Sequence, residues 1–315
     1  MYNYKKTILP DDSTISEDSY VKVTFSGNII SIKYSEHHSN SCNIKRISKN
    51  YYCDKKGEVF EYSHSGSRTS HIYNFYNSLT KCRNKINCNF NANQTLFLTL
   101  TYSKDKVKYQ PFPMNNHDYI TRDMNLFVKK LKYRFDINKY LYTIEPQLNG
   151  SWHSHLLLTM SNDKENPFID NHDIERMWQY GFTYPVGVHK VHNLGLYLTC
   201  FQTDIDVDEI PSNYDTSKYE KEERKIILPS GEEVTKAFFK GARIPMYLPN
   251  KKIYVPSHGL NNPETKVMRY GSIKEIINQH KAYSQGIKIE LKDFENIIIY
   301  EEYDLSKKIS PCKEQ

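Results

Sequence analysis

The chain has 315 residues, a net charge of +6 and a pI near 8.7, a balance that permits nucleic-acid binding without requiring it. Its length is enough for about two domains, and its 13% aromatic content argues against disorder along the whole chain. The mean hydropathy is −0.72, no stretch approaches the roughly 20 apolar residues of a membrane span, and no apolar run follows residues 1–6, so we expect a cytoplasmic protein without a membrane partner.

Residues 1–90 are interpreted as an N-terminal extension of unclear role. Residues 19–24 and 28–34 alternate loosely between apolar and polar side chains around Gly27, which is typical of a β-hairpin. Residues 69–88 carry apolar side chains at helical spacing, which predicts a helix just before the next domain begins.

Residues 95–102 alternate with the period of a half-buried strand. The two faces of this strand differ, with Leu96, Leu98 and Leu100 on one and Phe97, Thr99 and Thr101 on the other. We expect the leucine face to pack against helices. We expect the threonine face to lie beside a strand that carries two histidines, described below.

Residues 118–135 have apolar side chains at the spacing of an amphipathic helix. The opposite face of this helix is basic and includes Lys129 and Lys130. A solvated surface is the interpretation that we favour, because charged residues usually cover the exposed side of a helix. The alternative is that these cations follow a phosphate backbone.

Residues 139–160 contain two strand-like runs separated by Asn149 and Gly150, which is a strong local signal for a hairpin. Alternate side chains of a strand share a face, so His153 and His155 point the same way. Two imidazoles on one face, two residues apart, are half of a metal site.

The length of the hairpin loop decides whether Glu145 joins the two histidines. A two-residue turn would set Glu145 opposite Ser154, on the wrong face. A three-residue loop over 148–150 sets Glu145 opposite His153, and its last position favours a left-handed residue such as Gly150. We therefore predict the three-residue loop and a cluster of one carboxylate and two imidazoles, which suits Mg²⁺ or Mn²⁺.

Residues 170–180 and 189–204 are predicted to be helical, with an edge strand between them at 181–188. Tyr197 lies beside the apolar stripe of the second helix, where it can face the histidines across the sheet. A buried core tyrosine is the alternative. We favour a nucleophile because the histidine cluster provides a site for one.

Residues 236–257 interleave basic and aromatic side chains, including Lys240 and Arg243. This composition suits single-stranded nucleic acid. A partly exposed pair of strands explains the same pattern equally well.

Several segments follow one another in an order that resembles the HUH-endonuclease superfamily, and within it the rolling-circle replication initiators of bacterial plasmids, phages and integrative elements. The matching segments are FLTLTY at 97–102, EPQ at 145–147, GSWHSHLLL at 150–158, MWQYGF at 177–182, VHNLGLY at 191–197 and YLTCF at 197–201. The resemblance covers roughly residues 95–205 and extends weakly to residues 240–259.

The resemblance implies an α+β fold with a central antiparallel sheet of about five strands and flanking helices. It implies His153, His155 and Glu145 as ligands of a divalent metal, Mg or Mn, and Tyr197 as the nucleophile that nicks one strand of origin DNA. Such a protein would act on single-stranded or cruciform DNA in the cytoplasm of a bacterial host, with the host helicase and polymerase as partners.

One position departs from the family pattern. The family usually has a lysine three residues after the tyrosine, and here that residue is Cys200. Another cation, such as Lys190, would have to replace it, or the enzyme would be slow or inactive. We therefore keep two alternatives open, a single-tyrosine transposase or relaxase and a non-catalytic DNA-binding relative.

These expectations divide the chain into three parts. Residues 1–90 are the extension, 91–205 are the nicking domain, and 206–315 are a C-terminal region that binds DNA or completes a sheet. Lys129, Lys130, Lys190, Lys240 and Arg243 are the candidate DNA-binding residues.

Overall fold

The computed structural model describes residues 5–10, 13–37, 44–48, 50–54, 56–62, 67–69, 72–107, 116–161, 165, 167–189, 191, 193–200, 202–227, 232–277 and 281–306. The chain forms two compact units. The first combines Met1–Gly66 with Glu264–Gln315, and the second is Ser67–Pro263. Among the described residues, no helix has both the length and the apolar character needed to cross a bilayer.

The helices are α1 (Ile72–Asn89), α2 (Lys104–Val107), α3 (His117–Arg134), α4 (Asn171–Trp178), α5 (Leu194–Cys200) and α6 (Gly271–Ile277). The strands are β1 (Lys5–Ile8), β2 (Tyr20–Ser26), β3 (Ile29–Ser35), β4 (Ile44–Arg46), β5 (Tyr51–Asp54), β6 (Val59–Glu61), β7 (Leu96–Thr101), β8 (Ile137–Pro146), β9 (Trp152–Met160), β10 (Thr183–Gly187), β11 (Ile205–Asp206), β12 (Lys221–Ile227), β13 (Glu233–Phe239), β14 (Tyr254–Pro256), β15 (Glu264–Arg269), β16 (Lys281–Leu291) and β17 (Phe294–Asp304). Short 3-10 turns complete the described elements.

The first unit is built on a six-stranded antiparallel sheet in the order β1-β16-β17-β3-β2-β15. The predicted hairpin around Gly27 is present as β2 and β3, and Gly27 has the positive φ of 62° that the turn requires. Strands from both ends of the chain therefore share one sheet, with α6 packed on its apolar face. A small three-stranded sheet of β4, β5 and β6 accompanies it.

The second unit is built on a five-stranded antiparallel sheet in the order β10-β7-β9-β8-β14. This sheet and its flanking helices confirm the predicted α+β fold. The segment 91–205 contributes four of the strands, and β14 adds the fifth from residues beyond that segment. A second sheet, β11-β13-β12, follows β10 and α5 along the chain.

The two faces of the five-stranded sheet are covered by different helices. Leu96, Leu98 and Leu100 on β7 pack in a core with α3 and α4. Phe97 on the opposite face packs in a separate core with α1 and α5. Both expectations for β7 are confirmed, because Thr99 and Thr101 lie opposite the two histidines of β9.

The predicted helix over 189–204 is shorter in the structure. It begins at Leu194 and ends at Cys200 as α5. The Asn193 side chain accepts a hydrogen bond from the Leu196 N–H at 2.9 Å, which fixes the start of the helix. Ile205, expected on the apolar stripe of this helix, instead belongs to β11 and is buried beside Phe239 in the ladder.

Candidate active site

The hairpin of β8 and β9 has the predicted three-residue loop. Glu145 pairs with His153 in the strand register, and Thr143 pairs with His155. The N–H of Gln147 donates to the carbonyl of Ser151 at 2.9 Å, which leaves residues 148–150 as the loop. Gly150 has a φ of 80°, in the left-handed region that favours glycine. The acid therefore lies on the same face as both imidazoles.

Glu145 and His155 are in direct contact. His155 Nε2 lies 3.2 Å from Glu145 Oε2, and His155 Nδ1 lies 3.1 Å from the Thr99 hydroxyl on β7. Two neighbouring strands thus hold opposite sides of one imidazole. The ring of Phe97 stacks on the same imidazole with its centroid 5.6 Å away. These contacts fix the orientation of His155 before any ligand binds.

Arg243 anchors the acid from a distant part of the chain. Its Nη1 lies 3.1 Å from Glu145 Oε1 and donates to the carbonyl of Pro146 at 2.8 Å. Its Nε donates to the Asp204 carbonyl at 3.2 Å, and its Nη2 lies 3.2 Å from Glu209 Oε2. Only 3% of the Arg243 side chain is exposed. The guanidinium therefore faces Glu145 and not solvent, which changes its expected role as a surface contact to DNA.

Two amides and a phenol complete the surroundings of Glu145. Gln147 Nε2 donates to Glu145 Oε1 at 2.8 Å, and the buried Gln202 Nε2 lies 3.3 Å from Glu145 Oε2. The Tyr247 hydroxyl in turn donates to Gln202 Oε1 at 3.0 Å. The sequence carries no signal for Gln202 or Tyr247, because only the fold brings them to the acid. With His155 and Arg243, the two amides make four groups that hold the carboxylate in one position.

Electrostatics keep the acid ionised and one histidine neutral. Burial alone would raise the pKa of Glu145, but the charge of Arg243 and the contact with His155 outweigh it and lower the pKa to about 2. Burial lowers the pKa of His153 to about 4, and Glu145 offsets only part of that effect. At neutral pH the site presents a carboxylate and a neutral imidazole, the forms that ligate metals.

The donor chemistry fits a divalent ion, although the cluster is only partly assembled. Oxygen and imidazole donors suit Mg²⁺ or Mn²⁺, and the 3.2 Å between His155 Nε2 and Glu145 Oε2 is close to the separation of neighbouring ligands on one ion. The Thr99 hydroxyl orients the His155 ring from its other nitrogen, as metal-bound histidines need. His153 is further off, with 6.5 Å between its ring centre and that of His155. Within the described part of the chain, no three such side chains are grouped as a complete metal site.

Tyr197 lies on the same side of the sheet as the histidines. It packs against the core that joins α1 and α5 to this face. Its ring meets the edge of Phe97 at a centroid distance of 5.9 Å, and Phe97 stacks on His155. Burial raises the pKa of Tyr197 to about 12, with smaller contributions from Cys200 and Tyr184. The phenol is therefore protonated at neutral pH.

A close helix contact sets the position of Tyr197. Gly195 of α5 lies so near α1 that a Cβ atom would come within 2.5 Å of the Arg83 carbonyl. The Gly195 N–H donates to Asn87 Oδ1 at 2.8 Å, and Arg83 Nε donates to the Thr199 hydroxyl at 3.2 Å. Because these contacts fix the rotation and height of α5, they also fix where the phenol lies.

Cys200 does not replace the family lysine. Its thiol donates to the Tyr197 carbonyl at 3.1 Å, and burial raises its pKa to about 12. A neutral thiol carries no charge for a phosphate. Lys190, the substitute expected from the sequence, lies outside the described residues. Arg83 on α1 is a cation that does lie next to this end of α5.

The other candidate DNA-binding lysines lie away from the histidines. Lys129 and Lys130 are exposed on α3, which packs on the opposite face of the sheet. Lys130 Nζ also donates to the Met177 carbonyl at 2.9 Å. Lys240 is exposed and lies 3.4 Å from Glu222. The structure therefore does not bring these three lysines to the site.

Comparison with known proteins adds one match. Residues 95–203 match the family model described as replication-associated protein ORF2. No curated protein matches the chain. The matched segment holds Glu145, His153, His155 and Tyr197, whereas Arg243 lies beyond it. The match supports a role in DNA replication, of the replication-initiator type, for this part of the chain.

Proposed function

We propose that this protein is a replication initiator endonuclease that nicks one DNA strand through Tyr197. The observation that carries the proposal is the common face of the sheet, where Glu145, His153 and His155 are presented by one hairpin and α5 packs nearby with Tyr197. A phenol beside a carboxylate–imidazole cluster is a suitable arrangement for phosphoryl transfer.

The reaction forms one bond and breaks another. The Tyr197 oxygen bonds to phosphorus, and the bond between phosphorus and the 3′ oxygen breaks. The phenol releases its proton to solvent, and the leaving 3′ oxygen takes one up. The products are a 5′-phosphotyrosyl link and a free 3′-OH that primes synthesis.

The residues around the phosphate have separate tasks. Glu145 orients His155 through their 3.2 Å contact, and Arg243 keeps Glu145 ionised. A divalent ion held by His153, His155 and Glu145 would polarise a phosphate oxygen when bound. The two imidazoles and the carboxylate are the groups of this chain that would hold it.

A non-catalytic DNA-binding protein is the second candidate. Cys200 favours it, because the family lysine is absent and the thiol is neutral. A transposase or relaxase with the same chemistry is a variant of the first candidate. It differs in the DNA structure that it cleaves.

The experiment is covalent labelling with single-stranded and cruciform origin DNA in Mn²⁺. We expect wild-type protein to become attached to the 5′ end of the cleaved strand and Tyr197→Phe to remain unlabelled. Tyr133→Phe is the matched control, because Tyr133 is exposed on α3 and α3 packs on the opposite face. Labelling that persists in Tyr197→Phe excludes this nucleophile. If neither protein is labelled by any substrate while DNA is still bound, the non-catalytic candidate is correct.

A further inference from the structure

Two large aromatic side chains lie exposed at the edge of the five-stranded sheet, on the histidine face. Phe182 is 64% exposed and Tyr184 is 69% exposed. Tyr184 lies opposite Thr99 in the register of β10 and β7, and Thr99 lies opposite His155. Phe182 continues the same ladder, because the N–H of Thr101 donates to its carbonyl at 3.0 Å. The two rings therefore extend the row of side chains that includes the histidines.

The backbone that carries Phe182 is fixed although the ring is exposed. The Phe182 N–H donates to the Thr101 hydroxyl at 3.2 Å, and the Trp178 indole donates to the Thr101 carbonyl at 2.8 Å. Gly181 permits this close approach, since a Cβ there would collide with the same carbonyl. A ring held in this way loses little freedom on binding. Two such rings side by side form a preformed contact surface.

A cation and the candidate nucleophile both neighbour these rings. Lys106 Nζ lies 5.5 Å from the centre of the Phe182 ring and donates to the Gly181 carbonyl at 2.9 Å. Tyr184 is close enough to Tyr197 to contribute to its raised pKa. Apolar rings, positive charge and the reacting phenol therefore belong to one region of the surface.

We propose that Phe182 and Tyr184 form a stacking surface for unpaired DNA bases beside the phosphate that Tyr197 attacks. This inference rests on the proposed function and specifies its substrate as single-stranded DNA. Aromatic side chains bind bases of any sequence through their π faces, while nearby cations hold the backbone. The bases of a duplex are stacked inside it and reach such rings only after they unpair.

Binding is measured in the full chain carrying Tyr197→Phe, so that no cleavage occurs. The probe is a pool of single-stranded oligonucleotides of randomised sequence that contain 2-aminopurine, whose fluorescence falls when it stacks. We expect Phe182→Ala and Tyr184→Ala each to weaken binding about tenfold and to restore fluorescence. Phe182→Trp keeps both properties. Phe182→Leu, which keeps an apolar side chain at the position, loses the quenching as well. The same pool annealed into duplexes shows no quenching.

Two exposed aromatic residues serve as matched controls. Phe168 is 71% exposed and Tyr133 is 95% exposed, and both belong to segments that pack on the opposite face. Phe168→Ala and Tyr133→Ala should leave binding and fluorescence unchanged. Equal losses in these controls, unaltered binding by the Phe182→Ala/Tyr184→Ala double variant, or no quenching in the parent would each overturn the inference. Wild-type protein that stacks bases but never nicks would contradict the proposed function alone.

Discussion

The guanidinium of Arg243 lies 3.1 Å from the carboxylate of Glu145, and both side chains are buried. Glu145 belongs to the segment that matches the replication-associated family, whereas Arg243 lies well beyond its end at residue 203. The site therefore depends on residues outside the matched segment. A chain truncated after that segment would lose the counterion of its central acid.

Arg243→Met should strongly destabilise the protein. Removing one partner of a buried ion pair leaves an uncompensated charge and costs about 3–5 kcal/mol in the free energy of unfolding. Urea denaturation measures the loss, and the double variant Arg243→Met/Glu145→Gln should recover part of it. Lys225→Met is the control, because Lys225 and Glu233 form an exposed pair worth at most about 1 kcal/mol. Equal losses in Arg243→Met and Lys225→Met would contradict the role of the buried pair.

The buried acid should make stability depend on pH below neutrality. The pKa of Glu145 is about 2 in the folded protein, against an ordinary value of 4.5. A lowered folded pKa stabilises the protein above 4.5, and that stabilisation is lost as the pH falls from about 4.5 toward about 2. Thermal unfolding of metal-free wild type and Glu145→Gln tests this. The wild-type advantage should shrink across the window, and a constant difference would show that Glu145 does not titrate as described.

Gly195→Ala should displace α5 and with it Tyr197. A Cβ at this position comes within 2.5 Å of a backbone carbonyl of α1, so one helix must move. Overpacking of this kind costs about 1–3 kcal/mol, and we expect nicking to fall by at least about tenfold. Gly187→Ala is the matched control, since its Cβ would meet only the movable side chain of His189. Equal activity of the two variants would show that the α1–α5 contact does not position the phenol.

Cys200 should be chemically inert in the folded protein. Burial raises the pKa of its thiol to about 12, and the thiolate is the reactive form. Iodoacetamide at neutral pH should therefore modify Cys200 only after unfolding, as peptide mapping would show. Cys200→Ala should retain nicking within about twofold. Rapid modification of the native protein, or loss of activity in Cys200→Ala, would assign the thiol a role that its surroundings do not support.

Local patterns in the sequence predicted the centre of the fold. The alternation over 95–102, the Asn149–Gly150 signal and the helical spacing over 118–135 each depend on neighbours in sequence. All three appear as predicted, with α3 at His117–Arg134 and the acid opposite His153. Register could be deduced because a shift of one residue would have turned every side chain to the other face.

Long-range pairings could not be predicted in this way. Strands β2 and β3 share a sheet with β15, β16 and β17 from the other end of the chain. Arg243 reaches Glu145 from a loop, and its type and charge equally suit a surface residue. Only the folded chain shows that this basic side chain is buried. The predicted boundaries at 90 and 205 likewise differ from the compact units, which divide after Gly66 and Pro263.

The most direct test is to digest the covalent protein–DNA complex with protease and to identify by mass spectrometry the peptide that carries the 5′ nucleotide. The proposed mechanism predicts a single modified residue, Tyr197, with the phosphate bonded to its phenolic oxygen. A 5′ nucleotide on any other residue, or a cleaved strand with no attached peptide, would contradict it.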